Sequence, residues 1–462
     1  MEESPLANEG LDLKFNTCSC PSQLKITDVR IADIARAPMR CPIIKIYTNQ
    51  GIEGYGEVRD GANPVYALML KRLLLGENPC NVDKIFKRIK QFGYHARQGG
   101  GVCGIEVALM DLAGKAYGVP AYMLLGGKYR DKIRIYCDTD AGEKDTGEAM
   151  GQALLKRKAQ GYTFLKMDLG IGQIRDIPGT LSAPLGYLEE QQQAWTNLRQ
   201  AKASGDAEAE RYWTNRSYDY QNIPHPHTMV HITEKGFNAL EDYVKTVREA
   251  IGYEIPLAVD HFGHIGIEDC IKLAQRVVPY NLAWLEDMVP WQYTEQLVRL
   301  RNASSTPICT GEDIYLKEGF QKLIDAGAVS VIHPDLLTAG GMLETKRIGD
   351  YANDQGVAVA MHMAETPVAC LAAAHTCAAL EHFVALEFHS NDVPWWQDMV
   401  NYAPGGRIIE NGWLTITDAP GLGITSLNDE VLREHLTEEA NGEIWKSTEE
   451  WDSWITHDRL WS

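Results

Sequence analysis

Six short apolar runs in the second half of the chain each end in an ionisable residue, and this repeat constrains the fold more than any other feature. The residues at the ends of these runs are Asp260, Glu286, Glu312, Asp335, His362 and Glu387. They follow one another at intervals of 23 to 27 residues, about the length that a strand, a loop, a helix and a return loop occupy in a (β/α) barrel. Barrel enzymes carry their chemistry at the C-terminal ends of the strands. The repeat therefore predicts a (β/α)8-type barrel with these six residues at its active site.

Two further barrel strands are predicted before this repeat, ending at Cys137 and Asp168. Lys166 and Asp168 are two residues apart, so both face the barrel lumen if either does. The next predicted strand ends only at Asp260, and a helix fills a part of that gap. The remainder, residues 170–235, is an insertion that leaves the C-terminal end of a strand. It is expected to be a lid or interface element over the site, or else a surface excursion without chemistry.

The predicted fold class is α/β, a modified (β/α)8 barrel with an α+β capping domain formed by the N-terminal region and the C-terminal tail. Residues 1–22 have the composition of a tail, and residues 23–130 show three strands followed by helices, as expected of the capping domain. Residues 131–404 are assigned to the barrel. The segment 405–462 is rich in tryptophan and is expected to pack on the capping domain, because exposed tryptophans are rare.

Composition excludes several classes of partner. The formal net charge of −19 argues against binding to nucleic acid or to an anionic membrane. No apolar run approaches the ~18 residues of a membrane span, and the N-terminus lacks the features of a secretory signal. The ten cysteines contain no CxxC pair, which favours buried thiols in a reducing, cytoplasmic compartment. An anionic substrate would need local positive charge to bind.

Three of the strand-end residues, Asp260, Glu286 and Glu312, are carboxylates on adjacent predicted strands. Three converging negative charges repel one another in a site of low dielectric constant unless a cation is bound. Ligands that are all oxygen favour a hard ion, and octahedral Mg²⁺ suits three carboxylates with positions left for water and substrate. We therefore expect one Mg²⁺ per subunit; the alternative is that these are unrelated surface acids.

Asp335 and His362 end neighbouring predicted strands. A carboxylate beside an imidazole fixes its tautomer, orients it and raises its pKa, so His362 is predicted to be a general base or acid. Glu387, on the following strand, is expected to be protonated by burial near other acids and to donate a hydrogen bond to a metal-bound carboxylate.

Taken together, these residues resemble the mandelate racemase branch of the enolase superfamily. Three further stretches carry the resemblance: the segment 105–115 (IEVALMDLAGK) with the LLGG of 124–127, Pro334 before Asp335, and Gly340-Gly341. The resemblance implies a substrate carboxylate bound to Mg²⁺, removal of its α-proton by a base, and an ene-diolate stabilised by Mg²⁺, Lys166 and Glu387. It also implies a small-molecule carboxylate substrate and a homo-oligomer.

Departures from the branch narrow the reaction. The second strand of a racemase reads Lys-x-Lys, whereas Asp168 replaces the second lysine here. Several acid-sugar dehydratases of the branch have a histidine two residues after the first metal ligand; here that place is Phe262, with His261 and His264 nearby. His362 remains as the clear acid–base group, which suits β-elimination of water from a hexonate- or hexarate-like sugar acid.

Two other functions stay open from the sequence. One is a cycloisomerase, lactonising or epimerising enzyme that acts on a sugar acid through the same ene-diolate. The other is a non-catalytic relative that binds a carboxylate. Arg97 and His95, beside the glycine run 99–101, are candidates for contact with the distal end of the substrate. His261 and His264 are further candidates for substrate binding, and Asp168 is a further candidate catalytic residue.

Overall fold

The computed structural model describes residues 19–94, 99–142, 145–184, 186–222, 230–260 and 265–455. It begins with a small α+β domain in which a three-stranded antiparallel sheet, in the order β1-β2-β3, precedes the helices. Its elements are β1 (Ile26–Ile34), β2 (Cys41–Thr48), β3 (Glu53–Glu57), α1 (Val65–Leu68), α2 (Lys71–Leu74), α3 (Val82–Ile89) and α4 (Gly99–Tyr117).

Strand β3 and helix α4 lie so close together that two positions of the strand must be glycine. A Cβ atom at Gly54 would lie 2.4 Å from the carbonyl oxygen of Ala108, and one at Gly56 would lie 2.0 Å from that of Gly104. Glycine in a strand often marks such an approach of another backbone. The contact fixes the end of β3, and with it the loop that reaches toward the barrel.

The second domain is a closed barrel of eight parallel strands with helices outside it, which confirms the predicted α/β class. The elements as far as the second strand are β4 (Lys132–Cys137), α5 (Gly147–Ala159) and β5 (Leu165–Asp168). The insertion then contributes β6 (Leu181–Ser182), α6 (Tyr187–Ser204), α7 (Ala207–Asn222) and β7 (His231–Ile232). The rest of the barrel comprises α8 (Glu234–Ile251), β8 (Leu257–Asp260), α9 (Ile267–Arg276), β9 (Trp284–Glu286), α10 (Thr294–Ala303), β10 (Ile308–Thr310), α11 (Leu316–Asp325), β11 (Val331–Ile332), α12 (Leu336–Ala339), α13 (Gly341–Asp354), β12 (Ala358–Val359), α14 (Pro367–Ala379) and β13 (Leu386–Phe388).

Hydrogen bonds close the barrel between its seventh and eighth strands. The paired order is β12-β11-β10-β9-β8-β5-β4-β13, and the backbone N–H of Met361 donates to Ala385 at 3.0 Å while that of Glu387 donates to Met361 at 2.8 Å. Because all the strands run in parallel, their C-terminal ends open at one mouth. That mouth receives the ionisable residues of the repeat.

The insertion is closed at its base by the ribbon of β6 and β7, which pair antiparallel. The backbone N–H of Thr233 donates to Thr180 at 2.9 Å, and that of Ile232 donates to the carboxylate of Asp269 at 3.0 Å. These hydrogen bonds hold the two ends of the insertion together, so its two helices, α6 and α7, do not interrupt the barrel.

The C-terminal segment contacts both domains through β14 (Val400–Tyr402), β15 (Trp413–Thr415), β16 (Ile424–Leu427) and α15 (Asp429–Glu434). Strand β15 pairs antiparallel with β4 of the barrel, and β14 pairs with β16. Farther along, the buried ammonium of Lys71 donates to the hydroxyl of Thr448 at 2.9 Å, and the ammonium of Lys45 lies 4.2 Å from the centre of the Trp445 ring. No helix in the described ranges is long and apolar enough to span a membrane.

Two buried carboxylates of the capping domain lie at the N-termini of barrel helices. Glu106 accepts hydrogen bonds from the backbone N–H groups of Met342 (2.7 Å) and Leu343 (3.0 Å), at the start of α13. Glu57 accepts from the backbone of Thr366 at 3.0 Å, at the start of α14. Helix N-termini attract negative charge and leave N–H groups that need acceptors. These contacts join the two domains beside the barrel mouth.

Replacing Glu106 with alanine should destabilise the protein by roughly 2–5 kcal/mol, because two buried N–H groups lose their acceptors. Urea unfolding measures the change. Burial raises the pKa of Glu106 to about 7, above its ordinary value. Its contribution to the stability of the protein is therefore complete at acidic pH and declines as the pH rises through 7. The difference between wild type and variant should therefore be larger at acidic than at alkaline pH. The matched control is alanine at Glu148, an exposed residue in the first turn of α5. This substitution should destabilise the protein by at most about 1 kcal/mol. Equal losses from the two substitutions would contradict the assigned role of Glu106.

Candidate active site

Lys166 lies at the centre of the barrel mouth. Its side chain is buried, and its ammonium is 2.7 Å from Glu387 Oε1, 3.0 Å from Asp260 Oδ2 and 3.1 Å from Glu286 Oε1. Burial alone would lower the pKa of Lys166, but these carboxylates outweigh it and hold that pKa well above the usual value. The lysine is therefore a fixed positive charge within a ring of acids from neighbouring strands.

Glu387 is ionised, so the expectation of a protonated side chain is wrong. Burial would raise its pKa, but the ammonium of Lys166 and the imidazole of His389 outweigh burial and hold the pKa of Glu387 well below its usual value. The sequence interpretation weighed the neighbouring acids, but it did not weigh the charge of Lys166 and did not select His389. Glu387 therefore accepts a hydrogen bond from Lys166.

Asp335 and His362 meet as the adjacent strands β11 and β12 predict. Asp335 Oδ2 is 2.7 Å from Nδ1 of His362. Asp335 Oδ1 accepts from the backbone N–H of Leu337 at 2.6 Å, because Asp335 is the N-cap of α12. The other ring nitrogen of His362, Nε2, lies 3.2 Å from Glu312 Oε2. The aspartate thus orients the ring with Nε2 toward the carboxylates of the mouth.

Arg59, which the sequence interpretation missed, brings a third group to this pair. It follows β3 of the capping domain and is fully buried. Its Nη1 lies 2.8 Å from Asp335 Oδ2, 2.7 Å from Glu365 Oε1 and 3.2 Å from His362 Nδ1. An arginine just after a predicted strand is the signal that the sequence offers, and it does not identify a partner in the other domain.

Arg59 overturns the predicted electrostatics of His362. Burial and the guanidinium charge hold the pKa of His362 well below its usual value, so the expectation that Asp335 raises this pKa is wrong. A neutral imidazole whose Nδ1–H donates to Asp335 leaves a lone pair on Nε2. His362 is therefore suited to accept a proton at neutral pH.

The three predicted metal ligands surround the same mouth but do not form one tight cluster. Burial and neighbouring carboxylates, Glu286 among them, raise the pKa values of Asp260 and Glu312. Glu286 itself stays ionised: burial would raise its pKa, but His333 and Lys166 lower it. Mutual repulsion of this kind is relieved by a bound cation, and the oxygen donors fit a hard divalent ion.

Other side chains of the mouth form tighter groups that have metal-binding chemistry. Within the described residues, three sets place one ligand atom from each member within 4.8 Å of the others: Glu286 with Cys309 and His333; His362 with Glu387 and His389; and Asp335 with His362 and Glu365. The first includes a sulfur and all include a histidine nitrogen, so none matches a hard ion as well as the three carboxylates do.

The remaining predicted site residues divide into two groups. Asp168 lies half-buried at the end of β5, and burial with the nearby charge of Asp138 raises its pKa to about 7. The other four, His95, Arg97, His261 and His264, lie outside the described residues.

Two family comparisons together cover most of the chain. Residues 149–430 match the family described as enolase C-terminal domain-like. Residues 17–126 match the mandelate racemase / muconate lactonizing enzyme N-terminal domain. The two matches correspond to the barrel and the capping domain.

Individual relatives agree with these matches over nearly their full length. The chain is 31% identical to a D-xylonate dehydratase of Haloferax volcanii, over 86% of this chain and 85% of that protein. It is 25% identical to a D-gluconate/D-galactonate dehydratase of Picrophilus torridus, over 88% and 91% of the two chains. A crystal structure of a mandelate racemase/muconate lactonizing enzyme-like protein from Rubrobacter xylanophilus superposes with a TM-score of 0.74 at 29% identity, covering 90% of this chain and 98% of that one.

Proposed function

Because this chain belongs to the mandelate racemase/muconate lactonizing enzyme family of the enolase superfamily, we propose that it is a Mg²⁺-dependent dehydratase of sugar acids. It would remove the α-proton of a hexonate- or hexarate-like carboxylate and eliminate the 3-hydroxyl as water, leaving a 2-keto-3-deoxy acid. The observation that carries the proposal is the neutral His362, held by Asp335 and Arg59 with Nε2 facing the acids of the mouth.

The metal would be held by Asp260, Glu286 and Glu312. When bound, the ion supplies positive charge that makes the α-proton of a carboxylate more acidic. Asp260 and Glu286 end the consecutive barrel strands β8 and β9, and Glu312 lies in the loop after the next strand, β10.

The protein's own side chains account for the remaining requirements. His362 accepts the α-proton at Nε2, and the ion pair of Asp335 with Arg59 keeps the ring oriented. Lys166 supplies a buried positive charge where negative charge develops on the substrate carboxylate. Glu387 fixes the position of that ammonium through a 2.7 Å hydrogen bond.

Elimination is favoured over racemisation by the residue types on the two sides of the mouth. A racemase needs a base on each face of the α-carbon, and Asp168 stands where a lysine base would be. The relatives named as dehydratases of D-xylonate and of D-gluconate/D-galactonate support the same reaction class.

A product screen tests the proposal directly. The purified protein with Mg²⁺ is incubated in D₂O with five- and six-carbon aldonic and aldaric acids. The formation of 2-keto acid is measured, together with the deuterium that enters C2 of the remaining substrate. At least one acid should give a 2-keto-3-deoxy product that has lost one water. An isomer of unchanged mass would favour a cycloisomerase or epimerase instead. Binding without deuterium exchange would indicate a non-catalytic relative.

A further inference from the structure

We propose that His389 is the acid that protonates the departing 3-hydroxyl, and that His362 is the base that removes the C2 proton. The proposal rests on the dehydratase function proposed above and assigns the second proton of that reaction. His389 follows β13, two residues after Glu387, and does not fall on the strand-end repeat.

The two histidines lie side by side at the mouth. The centres of their rings are 5.5 Å apart, a separation that suits a base acting at C2 and an acid acting at the neighbouring C3 oxygen. His389 Nδ1 is 3.5 Å from Asp138 Oδ2, and Nε2 is 3.3 Å from Glu387 Oε1. Its side chain is 20% exposed, whereas that of His362 is 5% exposed. Nε2 of His389 is buried, so Nδ1 is the nitrogen that would donate the proton.

The surroundings of His389 favour its protonated form. Burial would lower the pKa of His389, but the carboxylates of Asp138 and Glu387 outweigh burial and the opposing charge of Lys166, and they raise that pKa to about 9. His389 therefore carries a proton at neutral pH, as a general acid requires.

Asp168 is the competing candidate for the second proton. Its pKa is raised to about 7, so a large fraction of the carboxyl groups is ionised at neutral pH and cannot donate. The His389 imidazolium remains protonated under the same conditions. The charge of the cluster therefore favours His389.

The proton balance of the reaction is complete with these two rings. His362 takes the proton from C2, the C3–O bond breaks with its electron pair on oxygen, and His389 gives its proton to that oxygen to form water. The resulting enol then becomes the ketone: its O–H proton returns to His389, and His362 delivers its proton to C3. Both histidines end in their starting states, and the substrate has lost one water.

The test compares His389→Asn with wild type on D-gluconate, D-galactonate and D-xylonate, and on any further acid identified by the product screen. Three rates are measured for each enzyme: water elimination, exchange of the C2 proton with D₂O, and fluoride release from the matching 3-deoxy-3-fluoro acid. Fluoride leaves without a proton, so that reaction bypasses the acid. The variant should lose about 100-fold or more in water elimination, while exchange and fluoride release stay within about tenfold of wild type.

Contrary outcomes are distinct. Full water elimination by His389→Asn would overturn the assignment and leave His362 or Asp168 as the donor of the second proton. Loss of all three reactions in a folded variant would show that His389 only supports Glu387 and Lys166. If wild type catalyses none of the three with any acid, the dehydratase function is wrong and this assignment falls with it. His382→Asn, at an exposed histidine, controls for the substitution itself and should match wild type.

Discussion

Replacing His362 with asparagine is expected to reduce turnover by about 10²–10⁴-fold, the usual contribution of a general base. Asparagine retains a polar group near Asp335 but has no basic nitrogen at the position of Nε2, which faces Glu312 at 3.2 Å. Exchange of the C2 proton in D₂O should fall together with product formation, since both require removal of that proton. Deuterium incorporation and 2-keto acid formation are measured on the same samples.

The control for this variant is Mg²⁺ affinity, which calorimetry should find within a few-fold of wild type. His362→Asn that retained turnover would refute the role of the imidazole as base. Equal loss of metal affinity and of turnover would instead place His362 among the metal ligands, as its membership of the group with Glu387 and His389 would allow.

Replacing Glu312 with glutamine is expected to weaken Mg²⁺ binding by at least about 100-fold, since loss of even an indirect partner of a metal ligand commonly costs 10–100-fold. The carboxylate charge, rather than its size, is what the ion requires, and glutamine removes only the charge. Calorimetric titration of Mg²⁺ into the protein gives the affinity directly. Activity should recover partly at high Mg²⁺ if the rest of the site is intact.

Asp313 provides the matched control. It is the next residue along the same loop, and its side chain is 44% exposed, so Asp313→Asn removes a neighbouring charge without removing a proposed ligand. Its Oδ1 lies 3.9 Å from Arg59 Nη2, a distance at which an ion pair is weak, so the Mg²⁺ affinity should stay within about threefold of wild type. Similar losses from the two substitutions would mean that only the overall negative charge of the mouth matters, and Glu312 would leave the ligand set.

The barrel was predictable from the sequence because its signal is local and repeated. Each apolar strand brings its terminal residue to one mouth, and parallel pairing places Asp335 beside His362 and Asp260 beside Glu286. The prediction needed only the period of the chain and the geometry of the fold. The contacts between individual side chains were not needed for it.

The charges that determine protonation were not predictable in the same way. Arg59 lies 276 residues before Asp335, and no periodic pattern connects a loop of the capping domain to the end of a barrel strand. His389 lies two residues past the expected position, so the repeat did not select it. As a result, the pKa shifts expected for His362 and Glu387 had the wrong sign. Each shift depends on a neighbouring positive charge that comes from a distant part of the sequence.

The position of Arg59 has a consequence for engineering this scaffold. The loop after β3 belongs to the domain that covers the barrel, yet the guanidinium of Arg59 holds the carboxylate that orients the imidazole proposed as the base. Grafting a cap from another enzyme to change substrate preference would therefore also alter the proton acceptor, unless the donor cap carries an arginine at the same place. A graft made to change substrate preference would thus change the proton acceptor at the same time.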